Sequence, residues 1–221
     1  AGGYTAEYGD KMSSVLDIRY KTPKEFEGSV EVGLQGDQVY IGSRGKKLSQ
    51  ITGLRFKDGR TLLGSLDTKG EYEPLYFDAQ SYIVGRLSDR WSLSFLGNVS
   101  LTHYQFKPQT RETSFGTLSD IKKLKVYFEG QERDRFVSLF GAFSATYTPS
   151  SEQRHVVSVH FYNSREMETY DIDGSYFLDN AKEGDSKQPN VSDNLSALAT
   201  GTNMEHARNR LRYTLATLSY S

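Results

Sequence analysis

The sequence predicts an all-β protein, an antiparallel transmembrane β-barrel fold with about eight membrane-length strands. Three observations carry this. Apolar side chains recur at every second position over runs of about ten residues. These runs are joined by tight polar turns alternating with longer charged, Gly-rich stretches. No run approaches the roughly 18 apolar residues that a membrane helix needs. The clearest run starts at Arg90: Trp91, Leu93, Phe95, Gly97, Val99 and Leu101 share one face, opposite Ser92, Ser94, Asn98, Ser100 and Thr102.

The elements follow in order. Residues 1–23 form a distinct leader. Its Gly- and Tyr-rich start reads as turn, and Ser14 to Tyr20 alternates as a strand until Pro23 removes a ladder donor. Residues 24–221 then hold the barrel strands. Phe26 to Leu34 runs to a hairpin signal at Gln35-Gly36-Asp37, and Gln38 to Ser43 returns. A basic turn at Arg44–Lys47 leads into Leu48 to Phe56, and Lys57 to Glu73 reads as a loop. Leu75 to Leu87 returns to the tight turn Ser88–Arg90, and the Trp91 strand leaves again. Lys107 to Asp134 is predicted as a long loop, part of it extended strand above the membrane. Arg135 to Thr148 returns to the turn Pro149–Glu152, and Arg154 to about Tyr170 leaves. Leu178 to Met204 reads as a polar loop. Arg208 to Ser221 returns, and its phase slips between Leu215 and Leu218, which predicts a bulge.

At this point the chain resembles the TonB-dependent outer-membrane receptors, in particular the type with an extra N-terminal carboxypeptidase-regulatory-like domain. Gly2-Gly-Tyr-Thr-Ala-Glu-Tyr-Gly9 followed by Ser13-Ser-Val-Leu-Asp-Ile-Arg-Tyr20 is similar to the end of that family's plug domain, where an Ala-x-Tyr-Gly turn precedes the last plug strand. Leu62 to Tyr72, Trp91 to Asn98 and Thr113 to Thr117 resemble stretches of its barrel. The resemblance implies that residues 1–23 are the C-terminal end of a plug. It also implies that residues 24–221 are roughly the first third of a barrel of about 22 strands. It further implies energy-coupled uptake of a nutrient across the outer membrane of a Gram-negative bacterium. The implied partners are outer-membrane lipid, the TonB system through an N-terminal part outside this chain, an unidentified nutrient, and a surface lipoprotein. Neither a cofactor nor an enzymatic activity is implied.

Composition agrees with a barrel without requiring one. Mean hydropathy is −0.60, a value that polar lumen residues and loops allow. The 15 Tyr and 12 Phe suit interfacial girdles. A net charge of −1 gives no footprint for nucleic acid. The chain lacks cysteine, so disulfides and thiolate metal sites are excluded.

Catalytic and metal motifs are sparse. His155 and His160 are five apart and face opposite sides of a strand, while His103 and His206 stand alone in sequence. Asp171-Ile-Asp173-Gly174 reads either as an incomplete calcium loop or as an Asp-Gly turn. Lys122, Lys123 and Lys125 read as a ligand-attracting patch or a solvated loop. Asn98, Asn190 and Asn194 match glycosylation acceptors by chance. No nucleophile elbow, phosphate loop or dinucleotide fingerprint is present.

Two faces follow from the alternation. Asp78, Gln80, Arg86, Ser92 and Ser94 are expected on the lumen side, against plug and ligand. Phe77, Ile83, Leu93 and Phe95 are expected against lipid. The competing readings are a complete small eight-stranded membrane barrel, structural or adhesive, and a soluble all-β binding module.

Overall fold

A computed structural model describes residues 18–64, 70–117, 120–180 and 197–221. The chain forms one antiparallel sheet. Its main path is β1 (Glu27–Gly33), β2 (Gly36–Arg44), β3 (Leu48–Asp58), β5 (Leu75–Arg86), β6 (Trp91–Pro108), β8 (Asp120–Ser150), β9 (Gln153–Asn180) and β10 (Ala199–Tyr220). Two short strands lie off this path: β4 (Gly70–Tyr72) pairs with β6, and β7 (Arg111–Thr117) pairs with β8. A single helical turn, α1 (Arg60–Gly64), follows β3. No helix among the described residues is long and apolar enough to cross a membrane. The eight predicted strands are therefore present, each paired with its neighbour in sequence along the path. The sheet is open, with β1 and β10 at its two ends.

Cross-strand register keeps the two faces separate over most of the sheet. On one face Ile83, Phe95, Phe143, Val159 and Leu218 stand directly opposite one another across β5, β6, β8, β9 and β10. On the other, Arg55, Asp78, Ser100, Ser138, Ser164 and Tyr213 form a row from β3 to β10. Neither face is covered: among the described residues no hydrophobic side chain is buried. Phe95 is 44% exposed and Val159 50%. A water-soluble domain of this length would enclose a core of such residues. Here the apolar face is a continuous exposed surface, far beyond the scattered exposure of ordinary soluble proteins.

The apolar face has a defined lower border on the tight-turn side. Trp91 stacks on Tyr147 with ring centroids 4.6 Å apart, Tyr147 on His155 at 6.3 Å, and His155 on Tyr220 at 6.2 Å. The hydroxyl of Tyr220 lies 2.8 Å from Nδ1 of His155. Such a row of amphipathic rings is what a membrane–water interface selects. From Trp91 to Leu101 the strand rises about 33 Å, which a tilt of about 40° reduces to roughly 25 Å, the height of a barrel's apolar band.

The turns are tighter than their sequence signals. The first hairpin turns on Leu34 and Gln35, one residue before the predicted centre, because Gly33 pairs with Gly36. Gly36 has φ +143°, and a Cβ there would meet the carbonyl oxygen of Phe56 at 2.1 Å. At the second tight turn Ser88 Oγ accepts from the backbone N–H of Trp91 at 3.1 Å.

Several expectations are corrected. Of Lys107 to Asp134, expected as a loop with part extended strand, most is strand: β7 and the first half of β8 form a hairpin there, apart from residues 118–119, which lie outside the described residues. The predicted loop Lys57 to Glu73 contains α1 and β4. β9 runs on to Asn180 and β10 begins at Ala199, so both strands enter the predicted polar loop Leu178 to Met204. β10 carries no bulge, since its register with β9 is unbroken from Ala199 to Tyr220. Leu215 simply lies on the polar face, where its parity puts it. Asp171 to Gly174 is neither a turn nor a calcium loop but mid-strand in β9. Ile18 to Tyr20, the described end of the predicted Ser14–Tyr20 strand, are not in a strand.

Candidate functional site

The polar face is the surface that can engage a ligand or a plug. Every lumen-side residue expected from the sequence lies on it. Arg86 pairs with Ser92, Ser94 with Val84, Gln80 with Asn98 and Asp78 with Ser100. Their apolar neighbours Phe77, Ile83, Leu93 and Phe95 lie on the opposite face by the same register. The buried polar side chains among the described residues, Asp78, Ser158 and Ser164, are all on the polar face; Ser164 is only 1% exposed.

Asp78 is the electrostatic centre of the β3–β6 part of this face. Arg55, directly across the ladder, donates from Nε to Asp78 Oδ2 at 2.8 Å. The same guanidinium reaches the hydroxyl of Tyr76 at 3.3 Å and lies 5.2 Å from that ring's centroid. A burial of 9% relative exposure for a carboxylate is tolerable because this partner is charged and geometrically fixed. Further along, Ser158 donates to Ser144 at 2.7 Å, and Tyr162 donates to Ser138 at 3.4 Å. These short hydroxyl links tie β8 to β9 across the polar face.

The end of the leader sits on this same surface. Tyr20 stacks on Tyr82 with centroids 5.0 Å apart, and its hydroxyl accepts from Gln80 Nε2 at 2.6 Å. Lys21 forms an ion pair with Glu27 at 2.8 Å and lies 4.7 Å from the centroid of the Tyr40 ring. Tyr40 in turn donates to Glu27 at 2.6 Å. Glu27, Tyr40, Gln80 and Tyr82 all belong to the polar face by register. Sequence reasoning singled out Gln80 but not Arg55, Tyr20, Lys21 or Tyr40. Arg55 was detectable, since it stands between the apolar-face residues Leu54 and Phe56. The contacts of Tyr20 had no sequence signal, because they join residues 60 positions apart.

Beyond the apolar band, on the long-loop side, the polar face turns acidic. Asp134 lies directly opposite Tyr104 on β6 and Glu168 on β9, and Glu132 opposite Tyr170. Burial, reinforced by the carboxylates of Glu132 and Glu168, pushes the Asp134 carboxyl up to about 6. The hydrogen bond to Glu132, with burial, pushes the Tyr170 hydroxyl up to about 12. This cluster favours cations and hydrogen-bond donors. Among the described residues it contains no nucleophile–base pair.

The other sequence candidates are dispersed. His155 and His160 lie on opposite faces, and no group of three metal-ligating side chains occurs among the described residues. His206 is held between Asp171 at 2.8 Å and Asp173 at 3.2 Å. Lys122 pairs with Asp120 at 2.8 Å and Lys123 with Glu112 at 2.7 Å, so this basic run is spent on the outer hairpin itself. Asn98 is in the middle of β6, and Asn190 and Asn194 lie outside the described residues. No model of a known protein family, no curated protein and no solved structure matches the chain.

Proposed function

We propose that the chain is the plug end and the first part of the barrel of a TonB-dependent outer-membrane receptor, which takes up a nutrient across the outer membrane of a Gram-negative bacterium. The observation that carries this reading is the asymmetry of the sheet. One face is apolar, uncovered and bordered by an aromatic row; the other is polar and already occupied by Tyr20 and Lys21 of the leader. An apolar outer face against lipid and a polar lumen against a plug is the arrangement a plugged barrel requires. Residues 1–23 then end the plug, and residues 24–221 begin the barrel wall. Nutrient specificity rests with the lumen face and outer hairpins, and energy comes from the TonB system through the N-terminal part of the receptor. The part played by these residues is binding, with no catalysis and no cofactor.

A complete small barrel of eight strands needs β1 to pair with β10, whereas these strands lie at opposite ends of the sheet. A soluble module needs its apolar face buried, and among the described residues no hydrophobic side chain is buried. The test uses neighbouring residues of β6. Arg at position 93 meets lipid and Arg at position 94 meets the lumen, so Leu93→Arg should block membrane assembly and Ser94→Arg should not. Equal assembly of both variants would refute the reading.

A further inference from the structure

On the apolar face, just beyond the apolar band on the long-loop side, arginine takes over three successive rows of the sheet. The first row is Leu101, Val137, Arg165 and Arg212; the second is His103, Arg135, Met167 and Arg210; the third is Gln105, Arg133, Thr169 and Arg208. Six exposed guanidinium groups thus occupy a patch of β8, β9 and β10, roughly 10 Å by 14 Å from strand spacing and rise. The whole chain carries a net charge of −1, so the patch is a local concentration.

None of the six has a carboxylate within ion-pair distance among the described residues. Further out on this face stand Glu129, Asp171 and Asp173, the two aspartates held by His206, while Glu73 at the far end of the third row pairs with Lys107. Arg165 and Arg212 stand directly opposite each other, an arrangement that is unfavourable for like charges unless an anion sits between them. The adjoining groove, about 520 Å³, has Leu101 and Val137 at its band end and Arg135, Arg165 and Arg212 beside and beyond them, with the Glu166 carboxylate also in its lining. It therefore offers an apolar floor continuous with the apolar band and a cationic rim at one end.

We infer that this patch binds the phosphate headgroup of a phosphorylated lipid in the leaflet on the long-loop side, with an acyl chain along the apolar floor; the inference rests on the membrane reading above. Guanidinium groups match phosphate oxygens bidentately. A basic cluster at the edge of an apolar band attracts anionic headgroups. A free anion in water would use the arginines but leave the apolar floor unexplained, which is why a lipid fits better.

The test uses the whole receptor of which this chain is proposed to form part, and compares it with a triple variant, Arg165→Gln with Arg210→Gln and Arg212→Gln. Both are reconstituted into phosphatidylcholine vesicles and into the same vesicles containing phosphatidic acid. The wild type should hold phosphatidic acid more tightly by about fivefold per arginine, so the triple variant should lose about a hundredfold. Both proteins should stay equally well in plain phosphatidylcholine, and Arg154→Gln at the opposite rim should change nothing. Equal affinity of wild type and triple variant for phosphatidic acid overturns the inference and leaves the membrane reading standing. So does an equal loss in Arg154→Gln, or displacement of the lipid by millimolar inorganic phosphate. Failure of the wild type to remain in any vesicle overturns both.

Discussion

The two halves of β8 obey different physics. From Val137 to Tyr147 it alternates in large part, with Leu139, Gly141, Phe143 and Ala145 on the apolar face and Ser138, Ser144 and Thr146 on the polar one, where Phe140 and Ala142 are the exceptions. From Asp120 to Phe136 the alternation gives way to charges on both faces. Yet both halves are strand. The first is specified by the contrast in polarity between its two faces. The second is held by its backbone ladder with β7 and β9 and by cross-strand charge pairs such as Lys123 with Glu112. A strand in an apolar medium has no alternative to full pairing, because unsatisfied backbone groups cannot turn to water. A strand in water has that alternative, and its stability depends on local detail.

The comparison is broken most severely by moving charge between faces of the band. Leu93→Arg should cost roughly 2–4 kcal/mol of membrane stability if position 93 lies near mid-bilayer, and Ser94→Arg close to none. Heat-modifiable mobility on gels, a measure of folded barrel, should show the difference. A smaller effect is expected in the outer half. Gly130 has φ +88°, and a Cβ there would meet the carbonyl oxygen of Asp171 at 1.7 Å. Gly130→Ala should destabilise the outer hairpin by about 1–3 kcal/mol. Hydrogen exchange should rise for residues 120–134 and stay unchanged for residues 137–147.

The leader provides a third contrast. Tyr20→Ala removes the stack on Tyr82 and the bond from Gln80. It should weaken seating of the leader by about 1–2 kcal/mol, read as faster proteolysis near Lys21, without loss of membrane assembly. The smallest effect is a pH dependence confined to the outer half. The folded chain holds the Asp134 proton up to about pH 6, against an ordinary value of 3.8. Proton binding is therefore tighter in the fold, and ionisation opposes it. Stability of the outer hairpin is greatest below about pH 4, falls as pH rises towards 6, and is flat above. Asp134→Asn should remove this slope in exchange measured from pH 4 to 7.

The same contrast explains what could be read from the sequence. Where the two faces differ sharply in polarity, a period of two writes itself into the residues, and the strands around Trp91 and Phe143 are legible with their facing. At Lys122 to Lys125 lysines stand on both faces and only the short set Leu124, Val126 and Phe128 alternates, so much of an extended hairpin looks like a loop. Leu215 misled for a related reason. It is an apolar residue on the polar face, and it imitates a change of phase where the register is continuous. The polar face itself was legible as a surface but not as a network. Asp78 and Gln80 could be placed by parity, whereas their partners Arg55 and Tyr20 come from 23 and 60 positions away. The arginine patch was invisible until register brought three strands together.

The central claim is that the apolar face meets lipid. Trp91 is the only tryptophan of the chain and stands at the lower border of that face, so its fluorescence reports on the claim directly. The receptor proposed to contain this chain, with any tryptophan outside it replaced by phenylalanine, would be reconstituted into vesicles whose acyl chains carry bromine at graded depths. Strong quenching, greatest for bromine nearest the headgroups, is the expected result. Emission at the wavelength of exposed tryptophan, unquenched at every depth, would contradict it.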